Sequence, residues 1–194
     1  MRTIILSDCH IGNSASDVAK LNLFLRHAEC NRLILAGNIF DFCEINPAEI
    51  KRQFATTIGL IRKLSTDIRV DYITGKTDAQ LLEQPMFCRG EVKTAAQARV
   101  LTPDGRMFYV CHGSVFESVI DRAATLLGLQ RVAGPELLRK RAAKSCLKKG
   151  YQGVIMGHEP GEWKRDGMEV YCGSWLTDRS YVLVEGSSIN IMRI

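Results

Sequence analysis

The seven cysteines are odd in number and include no C-x-x-C pair. That argues against a cysteine zinc site and against a disulfide framework. Cys9, Cys43, Cys111 and Cys172 lie in or beside apolar runs, so reduced, buried thiols in a cytoplasmic protein are expected. No apolar run approaches the roughly 20 residues needed to cross a bilayer. The opening "MRTIILSDCH" has one basic residue, and its apolar run stops at Asp8 and His10; it reads as a first strand, not a signal peptide. No repeat, low-complexity tract or linker breaks the 194 residues, so one domain over 1–194 is expected. One suggestive motif also lacks its partner. "YITGKTDAQ", Tyr72 to Gln80, carries Gly75-Lys76-Thr77 like the end of a P-loop. The second glycine such a loop needs, five residues earlier, is Val70, and Pro85 cuts short the helix it would open.

What is present is an ordinary soluble balance, 46% hydrophobic and 24% charged, with a net charge of +5. The excess is local. Between Val115 and Gly150 stand eight basic residues and three acidic ones, and the rest of the chain is balanced. The segment reads as a basic helical insertion at about 115–150, broken into two helices at Gly134-Pro135, with Phe116, Ile120 and Leu127 on the first. Arg139, Lys140, Arg141 and Lys144 are candidates for phosphate contacts or a lid, and the surface suits phosphates or anionic lipid. No aromatic stacking pattern accompanies these residues, so nucleic acid ranks last.

"RTIILSD" and "RLILAGN" are short apolar runs ending in polar residues, as buried parallel strands do. Between them, Val18, Leu21, Leu25 and Ala28 repeat at helical spacing, with Ser16 as a cap. "PAEIKRQFATTIGLIRKLS" predicts one helix opened by Pro47, with Ile50, Phe54, Ile58, Ile61 and Leu64 on its apolar face. "IRVDYIT" is the third strand, giving βαβαβ. "ARVLT" and "RMFYVCH" flank Pro103-Asp104-Gly105 as a hairpin. "GVIMGH" is another buried strand. "MEVYCGSW", "SYVLVEG" and "SINIMRI" close the chain as antiparallel strands, the last two joined at Gly186-Ser187. The expected class is α/β: two mixed β-sheets packed as a sandwich flanked by helices.

Chemistry-bearing residues gather at strand ends: Asp8 and His10, Asn38 and Asp41, Lys76 and Asp78, His112, and His158. Ligands of α/β sheets sit beyond such ends. The ordered blocks "SDCHIG", "AGNIFDF", "TGKTD", "CHGSVF" and "MGHEP" resemble those of the calcineurin-like metallophosphoesterases: D-x-H, G-D-x-x-D, G-N-H-D, H-G-[HD] and G-H-x-H. The C-terminal "MEVYCGSW" before "YVLVEG" resembles the branch containing UDP-2,3-diacylglucosamine pyrophosphatases, where a helical insertion after the fourth block covers a lipid substrate.

The resemblance implies a site for two divalent cations about 3.5–4 Å apart that clamp a phosphoryl group and activate water. Asp8, His10, His112 and His158 match ligand positions. Asn38 stands at the bridging aspartate, Lys76 at the ligand asparagine, Thr77 at the catalytic histidine and Pro160 at the last histidine. Asp41 and Asp78 match the supporting carboxylates that orient ligands. The site is thus eroded around Asp8, His10, Asn38, Lys76 and Thr77. At about 4 Å and an effective dielectric of about 20, the Lys76 ammonium would repel a divalent ion by about 8 kcal/mol. Lys76 is therefore expected to put its ammonium where a metal would sit, facing Asp8, Asn38 or Asp41. The bland alternative leaves it in solvent.

The reading that follows is a phosphoesterase-fold protein, weak or inactive in hydrolysis, that binds a phosphorylated or lipid-like ligand or a partner, with no tightly held metal. Its rivals are a hydrolase using one Mn²⁺-like ion on Asp8, His10, His112 and His158, with Glu159 as an added carboxylate, and a membrane-surface or nucleic-acid-binding module using the basic helices. A homo-oligomer is compatible with each.

Overall fold

Alternation of buried side chains along the first strands sets the layering. All of β2 (Arg32–Ala36) is buried, and so is β1 (Arg2–Leu6) after its first residue. Ile4, Leu6, Leu33 and Leu35 face a core shared with helices, while Ile5, Ile34 and Ala36 face a core shared with a second sheet. Successive side chains of a strand point to opposite faces, so a strand covered on both sides must be apolar throughout.

The structure is a computed structural model and describes residues 1–82, 92–117, 135–158, 162–165 and 169–194. The first sheet adds β3 (Arg69–Ile73), β4 (Val92–Ala95), β10 (Ser180–Glu185) and β11 (Ser188–Arg193), in the order β11-β10-β1-β2-β3-β4. β1 to β4 are parallel; β10 runs antiparallel to β1 and to β11. The second sheet comprises β5 (Ala98–Leu101), β6 (Met107–Cys111), β7 (Gly153–Met156), β8 (Glu162–Arg165) and β9 (Glu169–Cys172), in the order β5-β6-β7-β9-β8. Its three central strands are parallel, with an antiparallel strand on each edge. This is the expected sandwich of two mixed sheets.

Helices α1 (Val18–His27), α2 (Pro47–Gln53) and α3 (Ala55–Asp67) cover the first sheet through Leu21, Leu25, Ile50, Ile58 and Ile61. α4 (Pro135–Lys148) covers the second through Ala142 and Cys146, packed with Tyr109, Val154, Met156 and Tyr171. A short α5 (Trp175–Asp178) places Trp175 in the first core.

Several local expectations are corrected. Asp17, not Ser16, caps α1 by accepting from the Lys20 N–H at 3.1 Å; Ser16 instead donates to the Cys9 carbonyl. The helix opened by Pro47 is two helices, because Phe54 leaves helical geometry (φ −110°, ψ 28°). β4 has too little apolar pattern to be read from the sequence. β9 is not an antiparallel neighbour of β10: it lies parallel to β7 in the second sheet, and α5 carries the chain across to the first. Cys9, Cys111, Cys146 and Cys172 are buried, whereas Cys43 is exposed because the loop after β2 turns it outward. In the basic insertion, Pro135 opens α4 as expected; Ile120, Arg122, Leu127 and Arg131 lie outside the described residues, as do Pro85, Glu159 and Pro160.

Candidate functional site

The loops leaving β1 and β2 run side by side. Backbone hydrogen bonds join Asp8 to Gly37, His10 to Asn38 and Ile11 to Ile39, at 3.0, 2.9 and 2.8 Å. That pairing holds Asp8, His10 and Asn38 in the left-handed region (φ 53°, 47° and 53°), and His158 joins them at φ 81°. Each such non-glycine residue costs about 1 kcal/mol or more, and such strain persists only where surrounding structure over-determines it. Gly157 lets the loop after β7 close on this knot. A Cβ there would lie 2.5 Å from Ser7 Cβ and 2.7 Å from Asp8 Oδ2.

Asp8 is the hub. Its Oδ2 accepts the backbone N–H of His158 at 2.8 Å and faces the Ser7 hydroxyl at 2.6 Å. Its Oδ1 accepts from Asn38 Nδ2 at 3.0 Å and lies 3.4 Å from His112 Nε2 and 3.6 Å from His10 Nε2. Burial opposes the charge of this carboxyl, but hydrogen bonds from His10 and His112 outweigh it and hold its pKa well below the usual carboxylate range. His10 is gripped from both sides, with Nδ1 donating to Asp41 Oδ2 at 2.9 Å. Burial would lower the pKa of this imidazole; hydrogen bonds to Asp8 and Asp41 raise it overall. The basic side chain that faces Asp8 is therefore His10. Lys76 is exposed, and among the described residues no ion pair joins it to Asp8 or Asp41, so the expected apposition is not found.

Asn38 explains why. Its Oδ1 accepts the backbone N–H groups of Lys76 (2.8 Å) and Thr77 (3.0 Å), with the Thr77 hydroxyl at 3.2 Å. Rotating the amide would set its NH₂ against those N–H donors, so the orientation is fixed. The 76–77 segment thus docks on Asn38 by its backbone, and the Lys76 side chain leaves the pocket. Thr77 also faces the Phe40 carbonyl at 2.8 Å. Asp78 is buried and accepts from Ile39 N–H (2.8 Å), Tyr72 hydroxyl (2.7 Å) and Gly75 N–H (2.6 Å). Burial raises its pKa despite those donors.

His112 is fully buried, with Nδ1 2.9 Å from Ser114 Oγ and its ring edge-on to His158 at 4.8 Å. His158 turns its Nε2 away from Asp8 to the buried carboxylate of Glu117, at 2.8 Å. Glu117 was missed from the sequence, where one acidic residue after "CHGSVF" carries no motif. Ser7 was also missed, although a hydroxyl directly before the Asp8 pair is a visible donor. Beside this cluster, Lys76, Ala79, Ser114, Val115 and Glu117 line an open groove of about 230 Å³. The basic residues of α4 have other partners: Arg139 stands over the Tyr171 ring at 4.9 Å, Lys140 pairs with Glu136 at 2.8 Å and Arg141 reaches the Phe116 carbonyl at 3.4 Å. Lys144 is exposed.

No family model matches the sequence, and no curated protein matches it. Solved structures do share its fold. It is similar to YfcE, a phosphoesterase from E. coli, with 14% identity and a TM-score of 0.56, over 100% of this chain and 93% of that one. It is similar to a single mutant of Vps29 from Entamoeba histolytica, with 13% identity and a TM-score of 0.54, over 100% and 98% of the two chains. A protein of Thermus thermophilus, TT1561, gives 12% identity and a TM-score of 0.56, over 99% and 98%. The chain has the metallophosphoesterase-like α/β sandwich fold.

Among the described residues, the positions that the sequence resemblance assigns to a two-cation centre are not arranged as ligands. Asn38 directs N–H, not a lone pair, at Asp8, and its oxygen is fully engaged. A cation needs lone pairs, so the bridging position offers none. Asp8, His10 and His112 converge, but His158 Nε2 is committed to Glu117, so the fourth matched ligand does not join them. Among the described residues, no group of three or more His, Cys, Asp or Glu is arranged to hold a metal ion.

Proposed function

We propose that this chain is a metallophosphoesterase-fold protein whose pocket binds rather than hydrolyses, retaining a phosphorylated ligand or a protein partner. The fixed amide of Asn38 carries the reading: it fills the bridging place with a donor and ties Asp8, the 76–77 segment and the β2 loop into one closed hydrogen-bond network. Charge balance supports it, because the Asp8 and Asp41 carboxylates already flank His10. Lys76 and Ser114 at the groove rim supply donors suited to a phosphate, while Glu117 stays paired with His158.

The test combines metal analysis with turnover of bis-p-nitrophenyl phosphate in added Mn²⁺. The expected result is sub-stoichiometric metal and turnover no higher than that of a His10→Ala variant. Stoichiometric metal with turnover abolished in His10→Ala would overturn the reading. A second reading, hydrolysis with one metal, is favoured by one observation: His10 Nε2 and His112 Nε2 both approach Asp8 Oδ1, at 3.6 and 3.4 Å. The same pair of measurements separates the two.

A further inference from the structure

A larger cavity lies away from the Asp8 cluster. It is an open groove of about 550 Å³ lined by Arg69, Gln97, Ala98, Arg99 and Tyr151. Arg69 opens β3, whose other end leads to Lys76; Tyr151 precedes β7, whose other end leads to His158. A five-residue strand is roughly 17 Å long, so the groove and the Asp8 pocket are separate places.

Its lining is one-sided in charge and in hydrogen bonding. Among the described residues, no acidic side chain lines it. The carboxylate beside Arg69, Asp71, is buried and consumed: Oδ2 accepts from Arg32 Nε (2.7 Å) and Arg69 Nε (2.8 Å), and Oδ1 accepts from the Arg69 NH2 nitrogen at 2.9 Å. One carboxylate thus serves two guanidinium groups. Arg99 is exposed, with no ion pair among the described residues. Lys149 adds a further cation close by, over the Tyr109 ring at 5.2 Å. Gln97 is oriented, because the Tyr109 hydroxyl donates to its Oε1 at 2.5 Å and leaves the NH₂ as the outward group. Burial raises the Tyr109 pKa to about 12, so this phenol keeps its proton. The groove therefore offers donors and unneutralised positive charge, with no acidic acceptor among its described lining residues.

It is also anchored. Arg32, whose side chain is 6% exposed, donates through its NH1 nitrogen to the Arg99 carbonyl at 2.6 Å. That contact pins the strand that presents the Arg99 guanidinium. Guanidinium forks match phosphate oxygens in pairs, and the volume falls within the range of small-molecule sites. Tyr151 adds an aromatic face beside the two arginines.

We propose that the groove formed by Arg69, Gln97, Arg99 and Tyr151 is a second, anion-selective binding site for a phosphate-bearing small molecule such as a nucleoside diphosphate. It does not depend on whether the Asp8 pocket binds or hydrolyses.

The experiment is calorimetric titration of the full chain with ADP, pyrophosphate and adenosine. ADP and pyrophosphate should bind, more weakly as salt rises, and adenosine should not. ADP binding equal to that of pyrophosphate identifies the phosphates alone as the ligand; tighter ADP binding adds recognition of the base through Tyr151. Arg99→Ala should weaken either phosphate compound about tenfold or more, and Arg99→Lys less. Arg99 is exposed on an edge strand, so matching thermal melts will show that the variant folds. The Arg99-dependent binding should persist in Lys76→Ala, which removes any contribution from the groove beside the Asp8 cluster. Absence of binding by both phosphate compounds overturns the proposal. So does binding that survives Arg99→Ala and is lost in Lys76→Ala, which would place the ligand in the groove lined by Lys76 and Ser114 instead.

Discussion

Asn38→Asp changes one atom of the network and nothing of its shape. Aspartate tolerates the left-handed backbone at this position (φ 53°), and its Oδ1 can still accept the Lys76 and Thr77 N–H groups. The other oxygen, however, now faces Asp8 Oδ1 at the 3.0 Å formerly spanned by a hydrogen bond. Two carboxylates about 3 Å apart repel by about 5 kcal/mol at an effective dielectric of about 20. The pair escapes most of this by taking up a proton, which at neutral pH costs a carboxyl of ordinary pKa about 4 kcal/mol. The net expectation is a loss of about 3–5 kcal/mol, or about 6–20 °C in melting temperature for a chain of this size. At pH 5 the proton costs about 1.4 kcal/mol, so more than half of the deficit should vanish. The variant also regains a lone pair aimed into the pocket. Mn²⁺ at about 100 times its dissociation constant should then return about 2.7 kcal/mol, while the parent chain shows no comparable rise. Thermal melts at two pH values, with chelator and with Mn²⁺, read all of this. A variant melting within about 2 °C of the parent in chelator would refute the reasoning. So would an equal Mn²⁺ response in both.

Other expectations follow from the same geometry. Asp71→Ala leaves the buried Arg32 without its carboxylate and should cost about 3–5 kcal/mol in urea unfolding; replacing both residues with apolar ones should recover most of it. The raised pKa of His10 means that its contribution is complete below the unfolded value of 6.5 and is lost as pH rises through the higher folded value. The urea midpoint should therefore fall from pH 6 toward pH 9, with a smaller slope in His10→Asn. Gly157→Ala forces a methyl into Ser7 and Asp8 and should cost about 1–3 kcal/mol by thermal melting, with shifted histidine resonances, because those neighbours cannot withdraw.

The sandwich was legible because buried strands are apolar throughout and carry their polar residues at one end, as "RTIILSD" and "RLILAGN" do. β4 and the sheet assignment of β9 were not, since short strands with mixed side chains do not announce their partners. At the site, sequence order placed Asp8, His10, Asn38, His112 and His158 together, and the structure brings them there. It placed the Lys76 ammonium there too, and the structure does not. A residue's identity says nothing about whether its side chain or its backbone docks, and here Asn38 takes the Lys76 N–H and sends the side chain outward. Glu117 was invisible for a related reason: its meaning depends on which way the His158 ring turns.

The left-handed residues at Asp8, His10, Asn38 and His158 bear on how such a pocket changes over time. Main-chain pairing curves the loops after β1 and β2, and Gly157 lets the loop after β7 approach, but the Asp8 and Asn38 side chains hold the His158 and 76–77 backbones against them. Outward side chains such as Lys76 can be exchanged while the walls of the pocket stay put, whereas exchanging Asp8 or Asn38 also draws on the stability of the fold. The pocket behaves as a socket in which some pins are replaceable and two also hold the casing together.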